Sequence, residues 1–253
     1  MAVYVYLLNM AELESPVLLE QFLCKAPHLV DEVRRKKAEK IRSPHGQAVS
    51  LGAGLLLQKA VADFSGGNFE ECDFGSIPTA SLSDNQEAGR ELDTPDIFHL
   101  SVWDFLEHPE EPIPLDYRYG EMGKPYLKNV PLYFNLSHSG DFVLCAVSKQ
   151  EIGADIQLIG RGEVMRTAGR FFSDGELAAL QECGEKAERR ELFYRLWTKK
   201  EAYGKLTGKG IAEVISENML CKTEVEWLTF DAPDGYVAAV CREKNVSISK
   251  SRV

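Results

Sequence analysis

The stretch Phe193-Tyr-Arg-Leu-Trp-Thr-Lys-Lys-Glu-Ala-Tyr-Gly-Lys-Leu-Thr-Gly-Lys-Gly210 constrains this chain most. It has no Gly or Pro before Gly204 and is rich in good helix formers, so it predicts a helix from about Lys186 to Leu206. At 3.6 residues per turn Leu192, Leu196, Tyr203 and Leu206 share one stripe, the expected core face. Glu201 points roughly the other way, with Trp197 one turn before it and Lys205 one turn after. Thr-Gly-Lys-Gly then ends the helix, as Gly past a C-terminus does. Glu201 and Lys205 alone form only a favourable i,i+4 pair, worth a few tenths of a kcal/mol on a solvated helix. They gain meaning from a partner upstream.

That partner lies in Phe134-Asn-Leu-Ser-His-Ser-Gly-Asp-Phe-Val-Leu-Cys-Ala-Val-Ser-Lys-Gln-Glu-Ile-Gly-Ala-Asp-Ile-Gln157. Phe142–Val147 is a short apolar run, read as a buried strand, and Lys149-Gln150 is a turn. From Ile152 the pattern alternates, placing Ile152, Ala154, Ile156 and Leu158 on one face. Gly153, Asp155 and Gln157 fall on the other, with the glycine expected to leave room for a ligand. A strand Asp, a helix Glu and an amide oxygen make a hard-oxygen set suited to Mg²⁺ beside a phosphate. The plainer reading is the polar outer face of an edge hairpin. Asn135–Ser139 reads as a turn in which Ser137 and His138 offer a backbone N–H, a hydroxyl and an imidazole to phosphate oxygens. No Gly-x-Ser-x-Gly elbow surrounds Ser137, which argues against a nucleophilic serine. In Gly123-Lys-Pro-Tyr-Leu, Gly123 permits a tight turn, Pro125 fixes the chain, and Lys124 presents a point charge to a phosphate.

The pair Asn-Leu-Ser-His-Ser…Ile-Gly-Ala-Asp-Ile and Trp-Thr-Lys-Lys-Glu-Ala…Lys resembles the 4′-phosphopantetheinyl transferase superfamily. The two motifs follow in the family's order, about forty residues apart. Gly123-Lys-Pro and Arg170-Phe-Phe-Ser…Glu176 are similar to further family elements. The likeness is firm over about residues 120–212 and looks most like the double-length, Sfp-like type that activates peptide synthetases and fatty-acid or lysine-pathway carriers. It implies an α+β fold of two similar α/β halves related by a pseudo-twofold axis, with coenzyme A in the cleft between them. The halves would be residues 1–120 and 121–253, the second carrying the metal and catalytic motifs. The implied reaction moves 4′-phosphopantetheine from coenzyme A to a serine of an acyl or peptidyl carrier protein, with Mg²⁺ (or Mn²⁺), releasing adenosine 3′,5′-bisphosphate. Asp155, Gln157 and Glu201 would hold the metal, and Glu201, Lys205 and Asp155 would be catalytic. Lys124, Pro125, Ser137, His138, Lys200 and Lys205 would bind coenzyme A. Many relatives carry Glu where this chain has Gln157. The double length implies a monomer. A carrier-binding relative without transfer activity and a metal-dependent phosphohydrolase are the competing readings.

The remaining segments fill in this outline. Ala2–Leu8 reads as a strand and Met10–Leu23 as helical. Asp31–Arg42 carries six cations, either a solvated helix face or a holder of phosphate or of an acidic carrier. His45–Phe64 reads as a buried helix whose small residues allow close packing. The family's similar helix often has an Arg four residues before its Gly; here that position is Ala48, so Arg42 or another neighbour would have to supply the contact. Glu70–Asp116 holds thirteen acidic residues and one basic, a net of −12 in a chain whose total is −10. The acidity therefore belongs to one segment, a solvated insertion or a cover over a basic surface, with one strand-like run at Ile97–Trp103. Ser173 with Glu176 predicts a capping box. Val225–Asp231 and Tyr236–Arg242 flank a Pro-Asp-Gly turn and predict a hairpin. With 44% hydrophobic and 27% charged residues the composition is globular. No apolar run of membrane-spanning length or secretion-type leader is visible, and six scattered Cys without a Cys-x-x-Cys suit a reducing cytoplasm. The negative charge and the lack of an aromatic-basic motif disfavour a nucleic-acid partner.

Overall fold

A β-branched and aromatic run opens the chain and becomes an interior strand, because both its faces can be covered by apolar layers. The computed structural model of the protein describes residues 2–66, 95–228, 230 and 232–244. The elements are β1 (Val3–Asn9), α1 (Pro16–Lys25), α2 (Glu32–Glu39), α3 (Pro44–Ser65), β2 (Asp96–Ser101), α4 (Val102–Glu107), β3 (Tyr117–Tyr119), β4 (Pro125–Leu127) and β5 (Tyr133–Ser139). They continue with β6 (Phe142–Ser148), β7 (Ile152–Leu158), α5 (Met165–Phe171), α6 (Asp174–Glu182), α7 (Lys186–Thr207), α8 (Ile211–Val214), β8 (Val225–Leu228) and β9 (Tyr236–Glu243). The fold is α+β.

Local chemistry sets the helix starts. Ser15, Asp31 and Ser43 cap α1, α2 and α3 by accepting from Leu18 N, Arg34 N and Gly46 N, and Pro16 and Pro44 occupy first-turn positions that need no N–H. Helix α7 ends where Gly208 turns left-handed at φ 70°.

Two sheets form the centre. One has the order β2-β1-β6-β5, with β1 parallel to β2 and antiparallel to β6. The other has the order β7-β9-β8 and is antiparallel. Strand alternation divides the first sheet's side chains between two cores. Tyr6, Leu8, Val143, Cys145 and Val147 pack with Leu55, Leu56 and Leu57 of α3. Val5, Leu7, Leu144 and Ala146 pack with Ile152, Ala154, Ile156 and Val240 of the second sheet. Ala202 and Leu206 of α7 pack on that sheet's far side with Ala239 and Cys241. The order of layers is helix, sheet, sheet, helix.

At one corner the sheets are joined by side chains. Asn135 Oδ1, Ser137 Oγ and Ser139 Oγ of β5 accept from the backbone N–H of Ala154, Ile156 and Leu158 of β7, at 3.3, 3.4 and 3.0 Å. Alternate polar residues thus satisfy alternate amides of an edge strand that has no backbone partner on this side.

Several expectations are corrected. Asn135–Ser139 is strand and not turn; the reversal falls at Gly140, where φ is 53°. The run Ile97–Trp103 divides, because Ser101 and Asp104 form a capping box that starts α4 at Val102. Residues 96–107 are therefore an edge strand of the first sheet and a short helix, whereas residues 70–94 of the acidic segment lie outside the described residues. The buried residues of α7 are Phe193, Leu196, Thr198, Lys200, Ala202, Gly204 and Leu206, and they face two separate clusters rather than one stripe, with Leu192 and Tyr203 only partly covered. Gly153 does not make space for a ligand. A Cβ there would lie 2.0 Å from Ala202 O and 2.6 Å from Leu206 N, so its missing side chain admits the backbone of α7.

Candidate active site

That close approach brings the two sequence motifs together. Asp155 projects from β7 under α7 and is 2% exposed. Its Oδ1 accepts from Lys205 Nζ at 2.7 Å and from Ser137 Oγ at 2.5 Å, and its Oδ2 accepts from Gln157 Nε2 at 2.9 Å. Lys205 Nζ also donates to Ala154 O at 3.2 Å. Ser137 is thus a fixture of the carboxylate, donating to Asp155 and accepting from Ile156 N. Glu201 stands one turn before Lys205 on the same helix, partly buried. Burial and then the charge of Asp155 push its carboxyl above the usual range, and Lys205 works against both. Two neighbouring carboxylates attract a cation, and the Lys205 ammonium, paired with Asp155, supplies that charge in the structure.

Asp155 and Glu201 are donors of the type a small, hard divalent ion takes, while Gln157 turns its amide nitrogen toward Asp155. Such an ion takes one or two carboxylates and fills its remaining positions with water and substrate phosphate. Among the described residues no group of three or more His, Cys, Asp and Glu side chains forms a metal cage.

Lys205 and His138 open onto a cleft of about 820 Å³. It is lined by Met122–Pro125, Leu136, His138, Gly204 and Lys205, together with Arg34 and Lys37 of α2 and His45, Val49, Ser50 and Ala53 of α3. Arg34 and Lys37 are one turn apart, and neither pairs with a described carboxylate. Burial, and then the Arg34 charge, pulls the Lys37 ammonium below its ordinary range. Burial also lowers the His138 imidazole, followed by Lys205, Lys37 and Arg34, while Asp155 opposes them. These groups therefore share one positive field, which a polyanion would relieve.

Other expected positions have different surroundings. Lys200 does not reach the cleft. It is fully buried on the opposite side of α7, pairs with Glu176 at 2.8 Å, donates to Glu217 O at 2.5 Å and lies over the Phe172 ring at 4.9 Å. Glu176 does more than cap α6, because it also accepts from Met219 N at 2.9 Å. Lys124 lines the cleft with its stem, but its ammonium donates to Glu151 at 2.6 Å, Leu206 O at 2.9 Å and Ile152 O at 3.3 Å. It clamps the end of α7 to the start of β7. Pro125 lies beside it on the wall. Ala48 is buried and Arg42 exposed, and neither lines the cleft; the basic run contributes Arg34 and Lys37 instead. The sequence gives no individual mark to these two within a run of six cations. Nor does it show Ser137 as a support for Asp155, since that contact requires β5 to lie beside β7.

Residues 151–247 match the model of the 4′-phosphopantetheinyl transferase superfamily. The chain is 33% identical over 127 residues to a 4′-phosphopantetheinyl transferase of Bacillus subtilis, covering 50% of this chain and 56% of that protein. It is 42% identical over 114 residues to a 4′-phosphopantetheinyl transferase of Bacillus pumilus, covering 44% and 48%. It is 41% identical over 93 residues to the 4′-phosphopantetheinyl transferase Sfp of Bacillus subtilis strain 168, covering 36% and 41%. The chain thus spans about half the length of the curated relatives it matches. Residues 151–247, which carry Asp155, Glu201 and Lys205, are thus similar to the 4′-phosphopantetheinyl transferase superfamily.

Proposed function

We propose that this protein transfers 4′-phosphopantetheine from coenzyme A to a serine hydroxyl of an acyl or peptidyl carrier protein, releasing adenosine 3′,5′-bisphosphate. The observation that carries this is one cleft lined by Lys205, His138, Arg34 and Lys37, with the carboxylates Asp155 and Glu201 next to Lys205. A molecule with phosphates at two places fits such a cleft. The names of the relatives support the same reaction.

In this reading coenzyme A lies between two similar halves, about 1–120 and 121–253, each contributing one long outer helix. The 22 residues of α3 and the 22 of α7 support a pseudo-twofold relation. Asp155, Glu201 and Gln157 would hold Mg²⁺ or Mn²⁺, which would neutralise charge on the pyrophosphate. The carrier hydroxyl forms a bond to the phosphorus next to pantetheine, and the bond from that phosphorus to the bridging oxygen breaks. Glu201 takes the hydroxyl proton, directly or through a water it orients, and its raised proton affinity suits a base. Lys205 stabilises the negative charge on the departing bisphosphate. Ser137 and Gln157 keep Asp155 in place, and Lys124 fixes the angle between β7 and α7. His138, with Arg34 and Lys37, faces the 3′-phosphate. The chain would act as a monomer in the cytoplasm, without a nucleic-acid or membrane partner; no described helix is long and apolar enough to cross a membrane.

Intact-protein mass spectrometry of apo carriers incubated with the chain, coenzyme A and Mg²⁺ tests this. Fatty-acid, peptidyl and polyketide carriers should be compared. The expected result is a gain of one phosphopantetheine that disappears with EDTA and with Glu201→Ala. Binding of coenzyme A without transfer to any carrier would instead support a carrier-binding relative. Hydrolysis without an acceptor would support a phosphohydrolase.

A further inference from the structure

The lone pairs of the Asp155 carboxylate are mostly taken by the chain itself. Oδ1 accepts from Lys205 Nζ at 2.7 Å and from Ser137 Oγ at 2.5 Å, and Oδ2 accepts from Gln157 Nε2 at 2.9 Å. Two of these donors are neutral. Lys205 alone brings charge, and it compensates a carboxylate that is nearly closed to water. Helix spacing would equally allow Lys205 to pair with Glu201, four residues earlier. The structure gives it to Asp155 instead, and Glu201 has no hydrogen bond or ion pair among the described residues. That choice follows from the close approach of α7 to β7 at Gly153, which also sets Lys205 Nζ 3.2 Å from Ala154 O.

Of the three donors, Lys205 lines the cleft and Ser137 and Gln157 do not. An ammonium has three protons; Asp155 and Ala154 O take two of them. The third has no described partner, and the side chain keeps 28% of its surface exposed on the cleft. A second cation at Asp155 would share a carboxylate with this ammonium where little water screens them, and like charges there repel strongly. The repulsion falls once the flexible lysine stem swings its ammonium to an anionic oxygen in the cleft. Ser137 and Gln157 meanwhile keep the carboxylate in place.

We propose that Lys205 is a resident counter-ion that gates Asp155. It keeps a divalent cation off the acidic pair until an anion in the cleft draws the ammonium away, so the metal and the polyphosphate bind as one event. The identity of that anion rests on the coenzyme A reading above. Electron paramagnetic resonance titration of Mn²⁺ into the unliganded chain tests the gate. The wild type and Lys205→Arg, which keeps the charge, should bind Mn²⁺ weakly, and Lys205→Gln at least about tenfold more tightly. Lys37→Gln removes a cleft cation that does not touch Asp155 and should stay within about twofold of the wild type. Saturating coenzyme A should tighten Mn²⁺ binding at least about tenfold in the wild type and by much less in Lys205→Gln, where the gate is already open. Equal Mn²⁺ affinity of the unliganded wild type and Lys205→Gln, or an equal gain in Lys37→Gln, overturns the assignment. Should Lys205→Gln fail to fold, the wild type decides: Mn²⁺ bound as tightly without coenzyme A as with it also overturns it. If coenzyme A does not bind the wild type while Lys205→Gln still gains Mn²⁺ affinity, the coenzyme A reading fails and the gate stands. Coenzyme A binding without any gain in Lys205→Gln removes the gate alone.

Discussion

Lys200 is the residue on which sequence pattern and tertiary structure disagree most, and Lys200→Met separates them. The substitution keeps the length and apolar stem of the side chain and removes its charge. The structure gives Lys200 no exposure, an ion pair to Glu176 at 2.8 Å and a hydrogen bond to Glu217 O at 2.5 Å. Removing one partner of a buried pair typically costs about 3–5 kcal/mol, because the other charge stays buried. Glu176 keeps Ser173 N, Ser173 Oγ and Met219 N as donors, which places the cost near the lower end, about 3 kcal/mol. For a chain of this size that corresponds to a melting temperature lower by about 6–12 °C. Urea unfolding of Lys200→Met, Glu176→Gln and the double variant should give a coupling of about 2–3 kcal/mol, since the double variant leaves no unpaired buried charge. Titration of folded Lys200→Met with coenzyme A should give nearly the wild-type affinity. A loss of stability below about 1 kcal/mol, together with a tenfold weaker coenzyme A complex, would refute this reasoning and return Lys200 to the phosphate.

Three further outcomes follow from the same geometry. Gly153→Ala forces a methyl group onto the backbone of α7 and should destabilise by about 3 kcal/mol or more in thermal or urea unfolding. Gly162→Ala, which meets nothing within 4 Å, is the control and should stay within about 0.5 kcal/mol. Gln157→Glu places a second charge next to Asp155, replacing an amide that donates to it. Without Mg²⁺ this variant should melt lower, and its half-saturating Mg²⁺ concentration in the transfer assay should fall by roughly tenfold; an unchanged Mg²⁺ requirement counts against Gln157 as a ligand. His138 has its proton affinity lowered by burial and by neighbouring cations, so it is mostly neutral at pH 7. A phosphate bound beside it raises that affinity, so coenzyme A should bind more tightly as pH falls from about 8 to 6.5, with proton uptake. His138→Gln should flatten this slope in calorimetry, and an unaltered slope would remove the imidazole from the phosphate site.

What could be read in advance depended on local chemistry. The helix over 186–207 announces itself through composition and its glycine stop, and α3 through its apolar small-residue run. The β7 alternation places Asp155 and Gln157 on one face before any fold is known. The motif likeness adds order and spacing, and with it the pairing of Asp155 with Glu201 and Lys205. The turn expected at Asn135–Ser139 was misread because its polar residues resemble turn chemistry. They serve a strand whose alternate side chains bond to a neighbouring edge, and that neighbour lies nearly twenty residues away.

By itself the sequence determined which residue types were present at helix and strand periods, because backbone propensity and alternation act over only a few residues. It thereby supplied the acidic pair, the adjoining Lys205 and the basic run, but not their assignment to walls. The tertiary structure decided that Lys200 turns inward to Glu176 and Lys205 outward to Asp155, although both stand on one helix beside one carboxylate. It decided that Gly153 makes room for a helix, that Lys124 holds backbone carbonyls, and that Arg34 and Lys37 face the cleft while Arg42 does not. The reason is burial. Which charge must find a partner, and which stays available for a ligand, depends on the layer packed against each face, and that layer comes from distant parts of the chain.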